Sequence, residues 1–176
     1  MSSWQDQQRA VAKALGRSQA GEDLVKETEE LIKQRGEDLG DAAGKTFIYG
    51  DTTQKLGFYG PGDSRPRFFE ALGLELAPVV KDNVTEDEFW REWPEERADE
   101  LKSDLYISVA EDQAAAEKFK NDPMLRTIPA VAEGHSIFTT NKTDVVSTLA
   151  PSPLSLPHAV DVYVPAVREA LGSQSS

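Results

Sequence analysis

Apolar residues recur at helical spacing from the start of the chain. Trp4, Val11, Ala14 and Leu15 share one face, and Leu24, Leu31, Ile32 and Leu39 form a second run of the same period. This predicts two N-terminal helices parted near Gly16 to Gly21. From Lys45 to Gly50 the pattern changes to a β-branched and aromatic stretch closed by glycine, which predicts a buried strand entering a loop. Phe58 and Tyr59 predict another strand, with Gly60, Pro61 and Gly62 as its turn. Asp63 or Ser64 can cap a helix that has Pro66 in its first turn, carries Phe68, Phe69 and Leu72, and stops at Gly73. Leu76 to Val80 then reads as a strand.

Thr85 to Glu88 has capping-box spacing, which predicts a short helix there, and Pro94 is placed to open another through about Lys102. Asp104 to Val109 is the clearest strand, followed by Asp112 as cap of an alanine-rich helix toward Asn121. Ser136 to Thr140 is the last strand. A closing helix spans about Pro157 to Leu171, with a kink expected where Pro165 lacks a backbone donor. Short strands alternating with helices define an α/β chain, a three-layer arrangement with a central, mainly parallel sheet of about four to five strands flanked by helices. In such sheets ligands bind beyond the carboxyl ends of the strands, so the loops after residues 49, 59, 80, 109 and 140 are the places where a site is expected. The serine-rich ends, Ser2 with Ser3 and Ser173 to Ser176, read as disordered.

Composition narrows the function more than the fold. With 176 residues, 39% of them hydrophobic and 28% charged, the chain has the material for one domain with a core. Lys and Arg number 19 against 31 Asp and Glu, a net charge of −12, which repels phosphate backbones and leaves no basic cluster to hold nucleic acid. The charge is uneven: residues 82–112 carry 12 acidic side chains against Arg91, Arg97 and Lys102, a net of −9. That stretch is either a solvated face or a surface that meets a basic partner. Zero cysteines excludes disulfides, thiolate nucleophiles and cysteine-bound metal centres. Leu154 to Val167 is broken by Pro157, His158, Asp161 and Pro165, short of the ~20 residues a spanning helix needs. The first residues have neither the basic start nor the apolar stretch of a signal peptide, so the expectation is either a cytosolic protein or a processed piece of an exported one.

Gly57 to Gly62 is not followed by the Lys-Ser/Thr of a phosphate loop and lacks dinucleotide-binding spacing. His135 and His158 stand far apart, with no nucleophile elbow and no metal-ligand spacing. Carboxylates in 82–112 leave room for one alternative, a small cytosolic α/β enzyme working through an acid–base pair. The remaining candidates are aromatic residues and one arginine near strand ends: Tyr49, Phe58, Tyr59, Arg65, Trp90 and Trp93. Flat rings with single hydrogen-bonding groups beside a planar cation suit a large, aromatic, anionic ligand. Tyr49, Phe58 and Trp93 read equally well as core residues.

In order and spacing, several stretches resemble the substrate-binding proteins of bacterial ABC importers for ferric siderophores, haem and cobalamin, and specifically their C-terminal lobe. They are Trp4 to Gly16, Lys45 to Gly62 with Ser64 and Arg65, Phe68 to Leu74, Ala98 to Val109, Ile128 to Phe138 and Ser152 to Asp161. The resemblance implies that residues 1–44 are the end of an interlobe helix and the helix after it, that 45–172 form the substrate-binding lobe, and that 173–176 are a disordered tail. It implies a non-catalytic module at the cell surface or in the periplasm, with a ferric siderophore as ligand and no resident cofactor. The iron is held by the chelator with no metal ligands from the protein. Tyr49, Tyr59, Arg65, Trp90 and Trp93 become the ligand-binding candidates, with Arg65 countering the chelate's negative charge. Glu96, eight residues before Asp104, becomes the residue that docks on arginines of the ABC permease. The family's N-terminal lobe, export signal and lipid-attachment cysteine have no counterpart in this chain, so one lobe of a longer receptor is expected.

Overall fold

The computed structural model describes residues 3–172; Ser2 and the serine-rich tail expected at 173–176 lie outside the described residues. In chain order the elements are α1 (Trp4–Ala14), α2 (Ser18–Glu37), β1 (Thr46–Asp51), β2 (Gly57–Tyr59), α3 (Ser64–Ala71), β3 (Glu75–Leu76) and α4 (Pro78–Lys81). There follow β4 (Trp90–Glu92), β5 (Leu105–Val109), α5 (Gln113–Asn121), α6 (Pro129–Ala132), β6 (Ser136–Thr139), α7 (Lys142–Leu149) and α8 (Leu156–Ala170). The two expected N-terminal helices are present. They part at Gly16, whose φ of 67° is the left-handed conformation that glycine adopts without a Cβ penalty.

Four strands form one parallel sheet in the order β3-β1-β5-β6. Tyr49 stands beside Ile107 and Ile48 beside Tyr106 in the register of the two central strands. Because alternate side chains point to opposite faces, the strand residues divide between two helical layers. Phe47 and Tyr49 meet Phe69 of α3, which in turn meets Tyr163 of α8. On the other face Tyr106 stacks on Phe119 of α5 and touches Phe138. Phe47, Ile48, Tyr49, Leu105 and Ile107 are wholly buried, as expected for parallel strands covered on both sides. A separate antiparallel pair, β2 with β4, sets Tyr59 opposite Trp90.

The structure corrects two expected elements. Leu76 to Val80 is a strand only through Leu76: Ala77 gives the last ladder hydrogen bond to Phe47, and Pro78, without an N–H, opens α4. At Thr85 the local capping signal closes a single turn, with the Glu88 N–H on the Thr85 carbonyl at 3.0 Å, and no helix follows. Pairing of β4 with β2 claims the next residues, a tertiary preference that overrides the local one. The segment after Pro94 is a 3-10 turn, Glu95–Glu100, interrupted at Arg97. Two helices left unread in the sequence, α6 and α7, cover the approach to and exit from β6. Pro165 lies inside α8, which runs as one element.

Candidate functional site

The candidate ligand residues divide into two groups on opposite faces of the β2–β4 pair. On one face Phe58 meets Trp93 at 5.6 Å, Trp93 donates its indole N–H to the Arg97 carbonyl at 2.9 Å, and the Arg97 guanidinium lies over the indole. Phe58 and Trp93 are both buried, and this group closes the core. On the other face Tyr59 meets Trp90 edge-on at 4.6 Å. The bare Cα of Gly57 makes room for this contact: a Cβ there would come within 2.6 Å of the Trp90 ring and meet the Arg91 carbonyl as well.

The second group is tied to the carboxyl end of the central sheet. Asp51, the last residue of β1, accepts hydrogen bonds from the Thr53 N–H at 2.8 Å, the Thr53 hydroxyl at 2.6 Å and the Tyr59 hydroxyl at 2.9 Å. The Tyr59 hydroxyl also accepts from Gln54 at 3.2 Å. Asp63 caps α3 by accepting the Arg65 N–H at 2.9 Å. The same carboxylate takes the Arg65 guanidinium in a two-point grip, Nε to Oδ1 and Nη2 to Oδ2, both at 2.8 Å. Arg65 thereby lies flat against Tyr59, its guanidinium carbon 3.5 Å from the ring centre, with Tyr49 at 5.7 Å on the inner side.

This network is desolvated: the Arg65 and Asp63 side chains are 8% and 10% exposed. Burial opposes the Arg65 charge, yet the hydrogen bonds and charge of Asp63 outweigh it and hold the guanidinium above its ordinary pKa. Burial also pushes the Tyr59 phenol up to about 12, with Arg65 pulling it down and Asp51 adding to the rise. Tyr49 is wholly buried, which raises its phenol well above the ordinary value. Its hydroxyl lacks a partner of hydrogen-bonding geometry, although it lies beside Thr148, whose own hydroxyl is turned to the Val145 carbonyl.

Tyr59, Arg65 and Trp90 thus meet in one wall, with Tyr49 behind it and Trp93 on the far side of the β2–β4 pair. Three residues of this wall were not picked out as site residues from the sequence. Asp51 and Asp63 are its acidic partners, the latter foreseen only as a cap. Phe89 is 40% exposed beside Trp90, its carbonyl accepting the Gly60 N–H. A cavity of about 600 Å³ opens away from this wall, between the start of α1, α3 and the α7–α8 link, lined by Trp4, Arg67, Phe68, Leu149 and Leu156.

Glu96 is exposed on the 3-10 turn and makes no hydrogen bond or ion pair with another described residue. Its acidic neighbours are partly engaged, Glu88 with Arg91 at 2.8 Å and Glu100 with Arg97. The described residues contain no group of three or more His, Asp or Glu side chains placed to hold a metal ion, and no helix is long and apolar enough to cross a membrane.

Comparison with solved structures places this geometry in a family of folds. PiaA of Streptococcus pneumoniae TIGR4, solved in complex with ferrichrome, superimposes with a TM-score of 0.82 at 26% identity, over 97% of this chain and 59% of PiaA. Over the matched length the fold is that of PiaA. FhuD2 from Staphylococcus aureus with bound ferrioxamine B gives 0.77 at 20% identity over 97% of this chain and 66% of FhuD2. A periplasmic solute-binding protein from Mycobacterium smegmatis gives 0.75 at 21% identity over 98% of this chain and 58% of its own. This chain therefore spans between 58% and 66% of the length of these proteins. No family model matches the sequence, and no curated protein matches it.

Proposed function

We propose that this chain is the C-terminal lobe of an extracytoplasmic receptor, anchored at the cell surface or free in the periplasm, that captures a ferric siderophore and delivers it to an ABC permease. The supporting observation is the likeness to PiaA with ferrichrome, combined with an aromatic wall beyond the carboxyl end of the sheet. In this reading 1–44 complete the interlobe helix and the helix after it, and 45–172 form the binding lobe. Trp90 and the neighbouring Phe89 offer ring faces to the chelate, buried Tyr59 backs Trp90, and the chelator alone coordinates the iron. Glu96 docks on the permease. The neighbours are substrate-binding proteins, which speaks for binding without catalysis, and nothing in the geometry of 82–112 favours an acid–base pair.

The wall is open on one side, and a single wall buries about half of the contact area that a two-walled cleft supplies. The test is a titration of ferrichrome and of ferrioxamine B, following tryptophan emission, into this chain and into the two-lobed receptor that the reading requires. The chain alone is expected to bind at least 100-fold more weakly, and Trp90→Ala in the receptor to weaken binding at least tenfold. Equal affinities for lobe and receptor would overturn the half-site, and a receptor blind to both chelates would overturn the siderophore reading.

A further inference from the structure

The buried pairing at the wall bears on which chelates the site accepts. Among the described residues Arg65 is the one cation stacked on the Tyr59 ring, and its charge is matched by Asp63 through two hydrogen bonds of 2.8 Å. Asp51 adds a second carboxylate, held against Tyr59 by a hydrogen bond of 2.9 Å. These three groups sum to one negative charge, and Arg91 and Lys55 beside them are paired with Glu88 and Glu92. Both Asp63 and Arg65 are buried, so solvent screens little of this balance.

We propose that Asp63 is the residue that sets the charge selectivity of this wall: by neutralising Arg65 it turns the site toward ferric chelates that are neutral or singly positive and against strongly anionic ones. The inference rests on the siderophore reading above and deepens it. It reverses the expectation that Arg65 offers its charge to an anionic ligand. In this arrangement Arg65 is a positioning residue. Gripped by Asp63, it fixes the plane of Tyr59, and Tyr59 in turn sets Trp90.

Asp63→Asn keeps an oxygen for the Arg65 N–H and the α3 cap while removing the charge; Asp63→Ser is the second variant should Asn not fold. Two readouts follow. The first needs no siderophore: Trp90 lies one ring beyond Arg65, so it reports local charge through collisional quenching by iodide against caesium, with Trp90→Phe assigning the signal. Freed of its counter-charge within a Debye length, Arg65 should raise the iodide-to-caesium quenching ratio about twofold. The second is affinity in the two-lobed receptor for ferrioxamine B (cation), ferrichrome (neutral) and the trianionic ferric complex of enterobactin. D63N should favour the trianion over the cation about tenfold relative to wild type. A purely structural Asp63 would shift all three affinities alike and leave the quenching ratio unmoved, and either result overturns the proposal. Absence of binding by the wild-type receptor would end the siderophore reading, while the quenching ratio would still decide the role of Asp63.

Discussion

Replacing Arg65 by methionine tests how firmly the wall is built into the lobe. Two ion pairs of almost the same length make the comparison: Arg65 to Asp63 at 2.8 Å and Arg9 to Glu22 at 2.7 Å. The first pair has side chains 8% and 10% exposed, the second 44% and 37%. Methionine keeps much of the aliphatic stem of arginine but leaves the Asp63 carboxylate buried with only the backbone N–H of residue 65. Breaking one side of a buried pair costs about 3 to 5 kcal/mol, to be set against a total stability of about 5 to 15 kcal/mol for a domain. The loss also removes the cation from the face of Tyr59. With a urea slope of about 2 kcal/mol per molar, the unfolding midpoint should fall by about 2 M. Arg9→Met should leave the midpoint nearly where it was, because water already solvates both partners. The double variant Asp63→Asn with Arg65→Met removes both charges and should recover at least half of the loss, a non-additivity that marks direct coupling. Urea denaturation followed by circular dichroism reads wild type, the three single variants Arg65→Met, Asp63→Asn and Arg9→Met, and the double variant. A midpoint change below about 0.5 M for Arg65→Met, or strict additivity in the double variant, would refute a buried, mutually dependent pair.

Other consequences follow from single contacts. Asp104 accepts the Thr46 N–H at 2.8 Å and the Thr46 hydroxyl at 2.7 Å; burial raises its pKa, but these bonds and Lys45 outweigh it and lower the value overall. A lowered carboxylate pKa gives stability that is present above the unfolded value of about 3.9 and lost as pH falls through the folded one, so the advantage of wild type over Asp104→Asn in urea should shrink below about pH 4. An advantage that is constant with pH would show that the charge plays no part. Gly57→Ala forces a Cβ into the Trp90 ring and the Arg91 carbonyl, and should cost about 1 to 3 kcal/mol and red-shift tryptophan emission; an unchanged spectrum would place Trp90 elsewhere. Glu96→Lys in the full receptor should leave siderophore affinity within twofold and cut cellular uptake at least tenfold, whereas lost affinity with normal uptake would contradict a docking role.

Much of the fold was legible because burial on both faces of a parallel sheet writes itself into short aromatic and β-branched runs, as at Phe47 to Tyr49 and Leu105 to Ile107. Caps were legible where the signal is local, as with Asp63 and Asp112, each of which accepts an N–H of its helix's first turn. The reading failed where distant pairing competes with a local signal. Thr85 to Glu88 carries a helix-start pattern, yet the residues that follow complete a strand whose partner lies about thirty positions earlier, at Gly57 to Tyr59. Leu76 to Val80 failed through Pro78, whose missing donor outweighs its apolar neighbours.

The same division holds for the site. Periodicity, turn residues and composition by themselves determined an α/β chain, its helix caps, its lack of thiol chemistry and its concentration of acid in 82–112. They also singled out Tyr49, Phe58, Tyr59, Arg65, Trp90 and Trp93, without dividing those of the core from those of the wall. Only the tertiary structure decided that Trp93 turns inward to Phe58 while Trp90 turns toward Tyr59, because positions an odd number of residues apart along the strand face opposite sides of the β2–β4 pair. It alone decided the electrostatic character of the wall. In sequence Arg65 is a lone cation; in the fold, Asp63 two residues earlier closes on it with solvent largely excluded.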